Sequence, residues 1–227
     1  MALDWTEDEL PFPLTDVDRA QLKLTDEEYE PHTWEELRQI VVVIPLTESA
    51  EHNLSILKRW PSDLKRYIRW SIDTRAAYGS VPNFVRIERL KWDILPTSSG
   101  ATGPQFAFNN PVPFADPNDY KILINDWPYG YEAGIKHIIV WLKTRLETEP
   151  TRGDMTPKSR QQVENFIQKT FSDRVKSLPG GEDKVMWFKN WTALQSVPGI
   201  EHVHVFVRSV PDHIIDEWTC SDKSISN

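Results

Sequence analysis

The segment Glu201–Arg208, EHVHVFVR, carries two histidines one residue apart within a run of valines. In a β-strand, alternate side chains share a face, so His202, His204 and Phe206 are predicted to point one way and the valines the other. Such a strand is either a decorated sheet edge or the floor of a site. Burying two imidazoles side by side requires hydrogen-bond partners for each, which favours a site.

A third histidine lies in another strongly apolar segment, residues 135–143, IKHIIVWLK. His137 and Trp141 are four residues apart, so both lie on one face of the strand that this segment predicts. If this strand neighbours the one that bears His202 and His204, all three imidazoles meet. The sequence therefore predicts one histidine-lined site.

The chain as a whole is predicted to be one compact α+β domain, with a mainly antiparallel sheet, a long helix on one side and a helical cap in front. We expect the N-terminal arm to lie on the surface or to be partly ordered, and the C-terminal tail to be frayed. Asp212 is predicted to cap a short helix before the tail. The acidic arm, helical cap, α+β core and tail are assigned to residues 1–30, 31–80, 81–218 and 219–227.

Capping signals locate the predicted helices. Thr33 and Glu36 form a capping box that opens a helix of the cap, and Gly79 ends the next helix. Thr156 followed by Pro157 opens the long helix of the core. Strands are predicted at residues 83–92, 120–124, 135–143, 184–191 and 202–208.

Composition limits the class of protein. The 227 residues carry a net charge of -8, which argues against a nucleic-acid or anionic-membrane partner, since both require a basic surface. No apolar run is long enough to span a bilayer, the first residues have no signal core, and the single cysteine, Cys220, fits a reducing cytosol. We therefore expect a cytoplasmic protein with a small-molecule ligand; the oligomeric state stays open. Ten tryptophans against nine glycines indicate an aromatic core or an aromatic pocket.

The second half of the chain resembles the histidine-triad-like superfamily, which includes histidine-triad nucleotide hydrolases and galactose-1-phosphate uridylyltransferase. The matching pieces are Gly134, residues 137–143, Asn190, residues 195–197 and residues 202–206. The resemblance implies a histidine-triad-like antiparallel sheet with a long helix. It also implies hydrolase or transferase chemistry, in which a histidine attacks a phosphoryl group and forms a covalent nucleotidyl-imidazole.

The same resemblance implies roles for individual residues. The attacking histidine falls on His204, and His202 would fix its tautomer. The third histidine of the motif is replaced by Phe206, which fits a transferase-like or lyase-like variant, or a pocket that has lost its chemistry. Candidates to hold phosphate oxygens or the substrate's negative charge are Asn190, Gln195, Ser196, Lys143 and Arg208.

A closer resemblance spans two long segments, residues 122–143 and 187–208. They are similar to the fungal N-acetylglucosamine-induced protein family, whose domain has no assigned function. This resemblance names relatives and supplies no mechanism.

Two further interpretations stay open for the histidine cluster. A divalent metal could be held by His137, His202 and His204, with Glu201, Asp126 or Glu132 nearby; otherwise no cofactor is predicted. Alternatively, the pocket binds a small molecule or a regulatory partner without catalysis. Its substrate-binding walls would come from the turn with Asp126 and Trp127 and from Trp141 and Trp191, and cap cations that could reach an anionic ligand are Lys65, Arg66, Arg69 and Arg75.

Overall fold

A computed structural model describes residues 5–6, 10, 12–42, 57–96, 105–149, 154–190 and 197–226. Within this part of the chain, four antiparallel strands form one sheet. The strands are β1 (Tyr120–Ile124), β2 (Ile135–Leu142), β3 (Val185–Phe188) and β4 (Glu201–Arg208). Their order across the sheet is β1-β2-β4-β3. The fold class is α+β, as predicted.

Helices lie before, between and after the strands. They are α1 (Asp16–Gln21), α2 (Trp34–Val42), α3 (Pro61–Tyr78), α4 (Val81–Phe84), α5 (Pro157–Ile167), α6 (Asp173–Val175) and α7 (Asp212–Thr219). The chain continues from α4 and from α5 as π-helix over Val85–Leu90 and Gln168–Ser172, and single 3₁₀ turns occur at Asp26–Glu28, Pro117–Asp119 and Gly181–Asp183. No helix in the described ranges is long and apolar enough to cross a membrane.

The pairing of β2 with β4 sets the histidine face. On this face the antiparallel register places Trp141 opposite His202, Ile139 opposite His204 and His137 opposite Phe206. The two predicted histidine strands are therefore neighbours, and the third imidazole lies diagonally across from His204. Since β4 pairs with β2 on one side and β3 on the other, the strand is central and is not an edge.

The opposite face of the sheet packs into the main hydrophobic core. Ile138, Val140, Val203, Val205 and Val207 are fully buried there, together with apolar side chains of α5 and α7. The histidine face is covered by α2 and by the π-helical segment that follows α4. Both faces of the central strands are therefore withdrawn from water.

The predicted strand at residues 83–92 is wrong, because the chain is helical there. The Ser80 side chain accepts a hydrogen bond from the Asn83 backbone N–H at 3.3 Å, and Pro82 lies in the first turn. An N-cap followed by proline fixes helical geometry, and this local signal overrides the alternating apolar pattern. Lys91, with a φ of 57°, ends the π-helix.

Several capping predictions are confirmed. Thr33 and Glu36 exchange backbone-to-side-chain hydrogen bonds of 3.0 and 3.2 Å before α2. Gly79 closes α3 with a φ of 78°. Thr156 accepts from the Ser159 N–H at the start of α5.

Both ends of the chain are more closely packed than expected. In the N-terminal arm, Trp5 and Leu14 are buried against Leu64 and Ile68 of α3. At the other end, Pro211 is the N-cap of α7 and its side chain makes no capping hydrogen bond, so Asp212 begins the helix and does not cap it. Apolar side chains in the acidic arm account for its burial. The boundaries between arm, cap, core and tail at residues 30, 80 and 218 stay a prediction.

Replacement of Ile138 by Ala should lower the free energy of unfolding by about 2–5 kcal/mol, because it leaves a cavity in the core beneath the histidine face. Ile87, which is 41% exposed, is the matched control, and Ile87→Ala should change stability by no more than about 0.5 kcal/mol. Urea denaturation of both variants measures the difference. Equal effects would contradict the two-faced packing.

Candidate functional site

A pocket lies between the histidine face and the cap. Its floor is formed by side chains of β2 and β4, and its walls by the turn after β1, by residues just before and within α3, and by the helical segment from α4. The lining residues include Arg59, Arg89, Asp126, Trp127, His202 and His204. The histidines of β4 therefore lie on the floor of a pocket.

His137 and His204 form one hydrogen-bonded pair. Their Nε2 and Nδ1 atoms are 2.9 Å apart, and the Nδ1 of His137 lies 2.8 Å from the amide Nδ2 of Asn125. The orientation of that amide is fixed, because its Oδ1 accepts from the backbone N–H of Trp127 at 3.2 Å. The amide N–H therefore donates to His137.

The direction of this chain of hydrogen bonds determines both tautomers. With its Nδ1 accepting, neutral His137 carries its proton on Nε2 and donates it to the Nδ1 of His204. His204 must then carry its own proton on Nε2. The Nδ2 atom of Asn190 lies 3.4 Å from that nitrogen and is itself a donor, so the two groups make no hydrogen bond in this orientation of the amide. In this arrangement neither nitrogen of His204 offers a free lone pair.

His202 has the opposite tautomer. Its Nδ1 lies 2.8 Å from the carbonyl oxygen of Ile200, and a carbonyl only accepts, so the proton is on Nδ1. Its Nε2 makes no hydrogen bond to the described residues and keeps its lone pair. The roles inferred from the resemblance, His204 as nucleophile and His202 as orienting residue, stay a prediction; in the described hydrogen bonds it is His202 that has the free lone pair.

Burial keeps all three imidazoles neutral. Loss of hydration lowers the pKa of His137 to about 3, with smaller contributions from the charges of Arg59 and His202. Burial likewise lowers the pKa of His202, and it lowers the pKa of His204 well below its usual value. At neutral pH the lone pair of His202 is thus available.

This burial makes stability depend on acid. Because the folded-state pKa values are lower than about 6.5, the unfolded chain takes up protons first as the pH falls. The stabilisation is fully present above about pH 6.5 and is lost as the pH falls toward the folded-state pKa, which is about 3 for His137. Each such histidine contributes a slope that approaches about 1.4 kcal/mol per pH unit.

His137→Gln removes one buried imidazole, so the unfolding free energy of this variant should fall less steeply than that of wild type between pH 7 and 5.5. The difference in slope should approach the contribution of one buried histidine, about 1.4 kcal/mol per pH unit. His213→Gln is the matched control for loss of a histidine side chain, because His213 is exposed on α7. Urea denaturation at a series of pH values gives both slopes. Parallel curves for wild type and His137→Gln would refute a buried neutral His137.

Asp126, predicted to bind substrate, is held in an ion-pair network at the pocket wall. Its carboxylate accepts from Arg89 at 2.9 Å and from the Ile225 backbone at 3.2 Å. Arg89 also makes two bonds of 3.0 and 2.7 Å to Asp222, whose carboxylate accepts from the Ile124 N–H. Burial raises the pKa of Asp126, and Arg89 opposes this shift. The tail, expected to be frayed, is thus fastened to the pocket wall.

Asp222→Asn should cost about 1.5–3 kcal/mol of unfolding free energy, because it weakens charge-assisted bonds that are largely withdrawn from water. Asp73→Asn removes the exposed partner of Arg69 and should cost about 1 kcal/mol or less. Thermal and urea unfolding of the two variants provide the comparison. If the Asp222 variant were no less stable than the Asp73 variant, the tail would not be fastened as described.

The aromatic residues predicted as walls are in place where the structure describes them. Trp127 lines the pocket and contacts Tyr67 and Trp70, with ring centroids 5.7 and 5.4 Å away. Trp141 packs on the ring of His202 at 4.7 Å. These contacts give the pocket rigid apolar walls next to the imidazoles.

Other predicted site residues lie elsewhere. Lys143 is 3.9 Å from Asp119, and Arg208 is paired with Asp183, so neither lines the pocket. Asn190 lies beside His204. The remaining candidates, Trp191, Gln195 and Ser196, fall outside the described residues.

In the part of the chain that the structure describes, no three His, Cys, Asp or Glu side chains are arranged around one point. No group of metal ligands is therefore found there. His137 and His204 direct ring nitrogens at each other. Glu132 accepts from the backbone N–H of Trp34, and Glu201 pairs with Lys189 at 3.0 Å.

Two pocket arginines were not predicted from the sequence. Arg59 precedes α3, and Arg89 lies in the segment predicted as a strand. The only available signal for Arg59 was its position before Trp60-Pro61, where a helix begins. Tertiary folding, which no local pattern reveals, brings both guanidinium groups to the pocket.

A family model described as "Protein of unknown function (DUF3605)" matches residues 33–208, which span α2, the pocket and the whole sheet. The chain belongs to this family. Membership covers the three histidines and both segments on which the resemblance to the fungal N-acetylglucosamine-induced proteins was based. That resemblance is confirmed by the relatives.

N-acetylglucosamine-induced protein 1 of Candida albicans is 37% identical over 106 residues, which are 46% of this chain and 40% of the Candida protein. The match thus spans less than half of that relative's length. The uncharacterized protein YPL067C of Saccharomyces cerevisiae is 27% identical over 181 residues, 80% of this chain and 81% of the yeast protein. A structure titled "Crystal Structure of HTC1" matches with a TM-score of 0.59 and 23% sequence identity. The match covers 85% of this chain and 97% of the chain in that structure, and it shows a shared fold.

Proposed function

We propose that this protein is a small-molecule enzyme, a hydrolase or transferase, that acts on a phosphorylated or nucleotide-linked substrate through its His-x-His pair. One observation carries the proposal: the hydrogen bond of 2.8 Å from His202 Nδ1 to the Ile200 carbonyl, which leaves Nε2 with a lone pair in a pocket. A histidine that serves only for packing does not need a fixed tautomer beside open space.

The fixed tautomer supports nucleophilic attack on phosphorus. The Nε2 lone pair of His202 forms the N–P bond while the P–O bond to the leaving group breaks, and the leaving oxygen keeps that bond's electron pair. The imidazole then carries a positive charge, which the hydrogen bond from its Nδ1–H to the Ile200 carbonyl stabilises. Attack by water, or by an acceptor hydroxyl, on the phosphoryl-imidazole releases His202 and completes hydrolysis or transfer.

His204 has the complementary property of a hydrogen-bond donor. Its ring centroid is 5.1 Å from that of His202, and its Nε2 carries a proton in the hydrogen-bond chain from His137. This N–H keeps its proton and can donate a hydrogen bond to the leaving oxygen, which takes its proton from solvent. The pair therefore supports stabilisation of the charge that develops on the leaving oxygen beside the nucleophile.

The experiment compares turnover of wild type, His202→Gln, His204→Gln and the exposed control His213→Gln on nucleotides, nucleotide sugars and sugar phosphates. The Candida relative is named for induction by N-acetylglucosamine, so amino-sugar phosphates belong in this panel. His202→Gln should lower kcat by about 10³-fold or more, since a nucleophile acts as part of a unit with its neighbours. His213→Gln should leave turnover unchanged.

Denaturing mass spectrometry after acid-free quenching provides a second readout. A phosphoryl or nucleotidyl adduct should form on wild type and on His204→Gln and be missing from His202→Gln. Full turnover by His202→Gln would refute the proposal. Ligand binding with no turnover of any panel member would favour the alternative of a non-catalytic binding protein in the cytosol.

A further inference from the structure

Two arginines line the pocket, and they differ in how their charge is compensated. Arg89 is neutralised by two carboxylates, those of Asp126 and Asp222. Arg59 pairs with no carboxylate among the described residues, and its Nε donates to the Trp127 carbonyl at 3.3 Å. The two terminal amino groups of Arg59 therefore remain to bind a ligand.

The Arg59 guanidinium is held in place by aromatic rings. Its Cζ lies 4.1 Å from the ring centroid of Tyr67 and 5.1 Å from that of Tyr129. Such stacking restricts a side chain that would otherwise lose much rotamer entropy on binding. The terminal amino groups are thus arranged before any ligand arrives.

The backbone beside Arg59 is fixed as well. The Lys58 N–H donates to His32 Nε2 at 3.0 Å, and the Lys58 carbonyl accepts from the Gly130 N–H at 2.7 Å and from the Tyr29 hydroxyl at 3.0 Å. At Gly130 an added Cβ would lie 2.4 Å from the Tyr29 oxygen, so only glycine permits this close approach. These bonds join the cap to the turn after β1 and set the position of Arg59.

The location of Arg59 relates it to the histidines. The Tyr129 ring lies against the Arg59 guanidinium and is also stacked on the His137 ring, with the two ring centroids 6.2 Å apart. One aromatic ring thus separates the guanidinium from the imidazole cluster. Arg59 and the histidines line one pocket, and the Arg59 charge is near enough to His137 to contribute to the lowering of its pKa.

We propose that Arg59 is the anion anchor of this pocket and that the ligand is a phosphate ester whose phosphate oxygens bind the two terminal amino groups of Arg59. The inference rests on the proposed function and deepens it, since it names the group that selects phosphorylated over unphosphorylated ligands. A planar guanidinium whose two amino groups have no partner among the described residues matches two phosphate oxygens at once. The tryptophan walls beside it accommodate the ring of the ester.

Calorimetric titration tests this selectivity with matched ligand pairs: adenosine 5′-monophosphate against adenosine, and glucose 6-phosphate against glucose, with inorganic phosphate as a minimal probe. Wild type should bind at least one phosphorylated member at least tenfold more tightly than its parent. Arg59→Gln should abolish that preference, an affinity loss of about ten- to a hundredfold, and leave binding of the parent unchanged.

Two further variants separate the loss of the Arg59 guanidinium from a general loss of positive charge. Arg75→Gln removes one positive charge from an exposed site on α3 and should keep the full phosphate preference. Arg59→Lys keeps the charge without the planar fork and should retain part of the preference. Circular dichroism and thermal unfolding establish that each variant is folded.

Several outcomes would overturn the inference. Undiminished preference in Arg59→Gln would do so, as would equal losses in Arg59→Gln and Arg75→Gln, or the failure of every phosphorylated probe to bind wild type more tightly than its parent. Catalysis by His202 is separable, because His202→Gln should keep the phosphate preference in the same titration while losing turnover. Loss of turnover in His202→Gln together with unchanged binding by Arg59→Gln would refute the anchor alone.

Discussion

The register between β2 and β4 is the constraint on which the site depends. It sets His137 diagonally across from His204, close enough for a hydrogen bond of 2.9 Å. A slip by one residue would turn every side chain of a strand to the other face. The buried valines of β4 oppose such a slip, since it would bring histidines into the main core and valines into the pocket. Core packing on one face thereby positions the chemistry on the other.

Burial then gives these imidazoles their properties. Withdrawn from water, they stay neutral, and a neutral imidazole has one donor and one acceptor nitrogen, so each tautomer follows from its partner. The amide of Asn125 starts one chain of donors through His137 to His204, and the carbonyl of Ile200 sets His202 independently. Two neighbouring histidines on one face of the strand consequently have different tautomers: His204 presents an N–H and His202 a lone pair. Phe206 occupies the next position on that face and packs against His137 at 4.5 Å, so it supports the ring without competing for its hydrogen bonds.

The sequence predicted what depends on local pattern and left out what depends on tertiary contact. The order of predicted helices and strands was sufficient to predict the α+β class, and alternation in β2 and β4 the shared histidine face. It misled at residues 83–92, where the Ser80 cap and Pro82 make helix. Tautomers could not be predicted, because they depend on one amide and one carbonyl whose positions only the folded chain supplies. The same holds for Arg59, which reaches the pocket through bonds between Lys58 and Gly130, whereas the cationic side chains predicted on α3 do not line it.

Nitrogen-15 NMR of the imidazoles tests the assignment of the lone pair to His202 most directly. Long-range nitrogen–proton correlation spectra of protein labelled in its histidine rings, at neutral pH, distinguish a protonated ring nitrogen from one with a free lone pair. The hydrogen bonds predict a protonated Nδ1 and an unprotonated Nε2 for His202, and the reverse pattern for both His137 and His204. A protonated Nε2 on His202, or a doubly protonated ring at that position, would contradict the account.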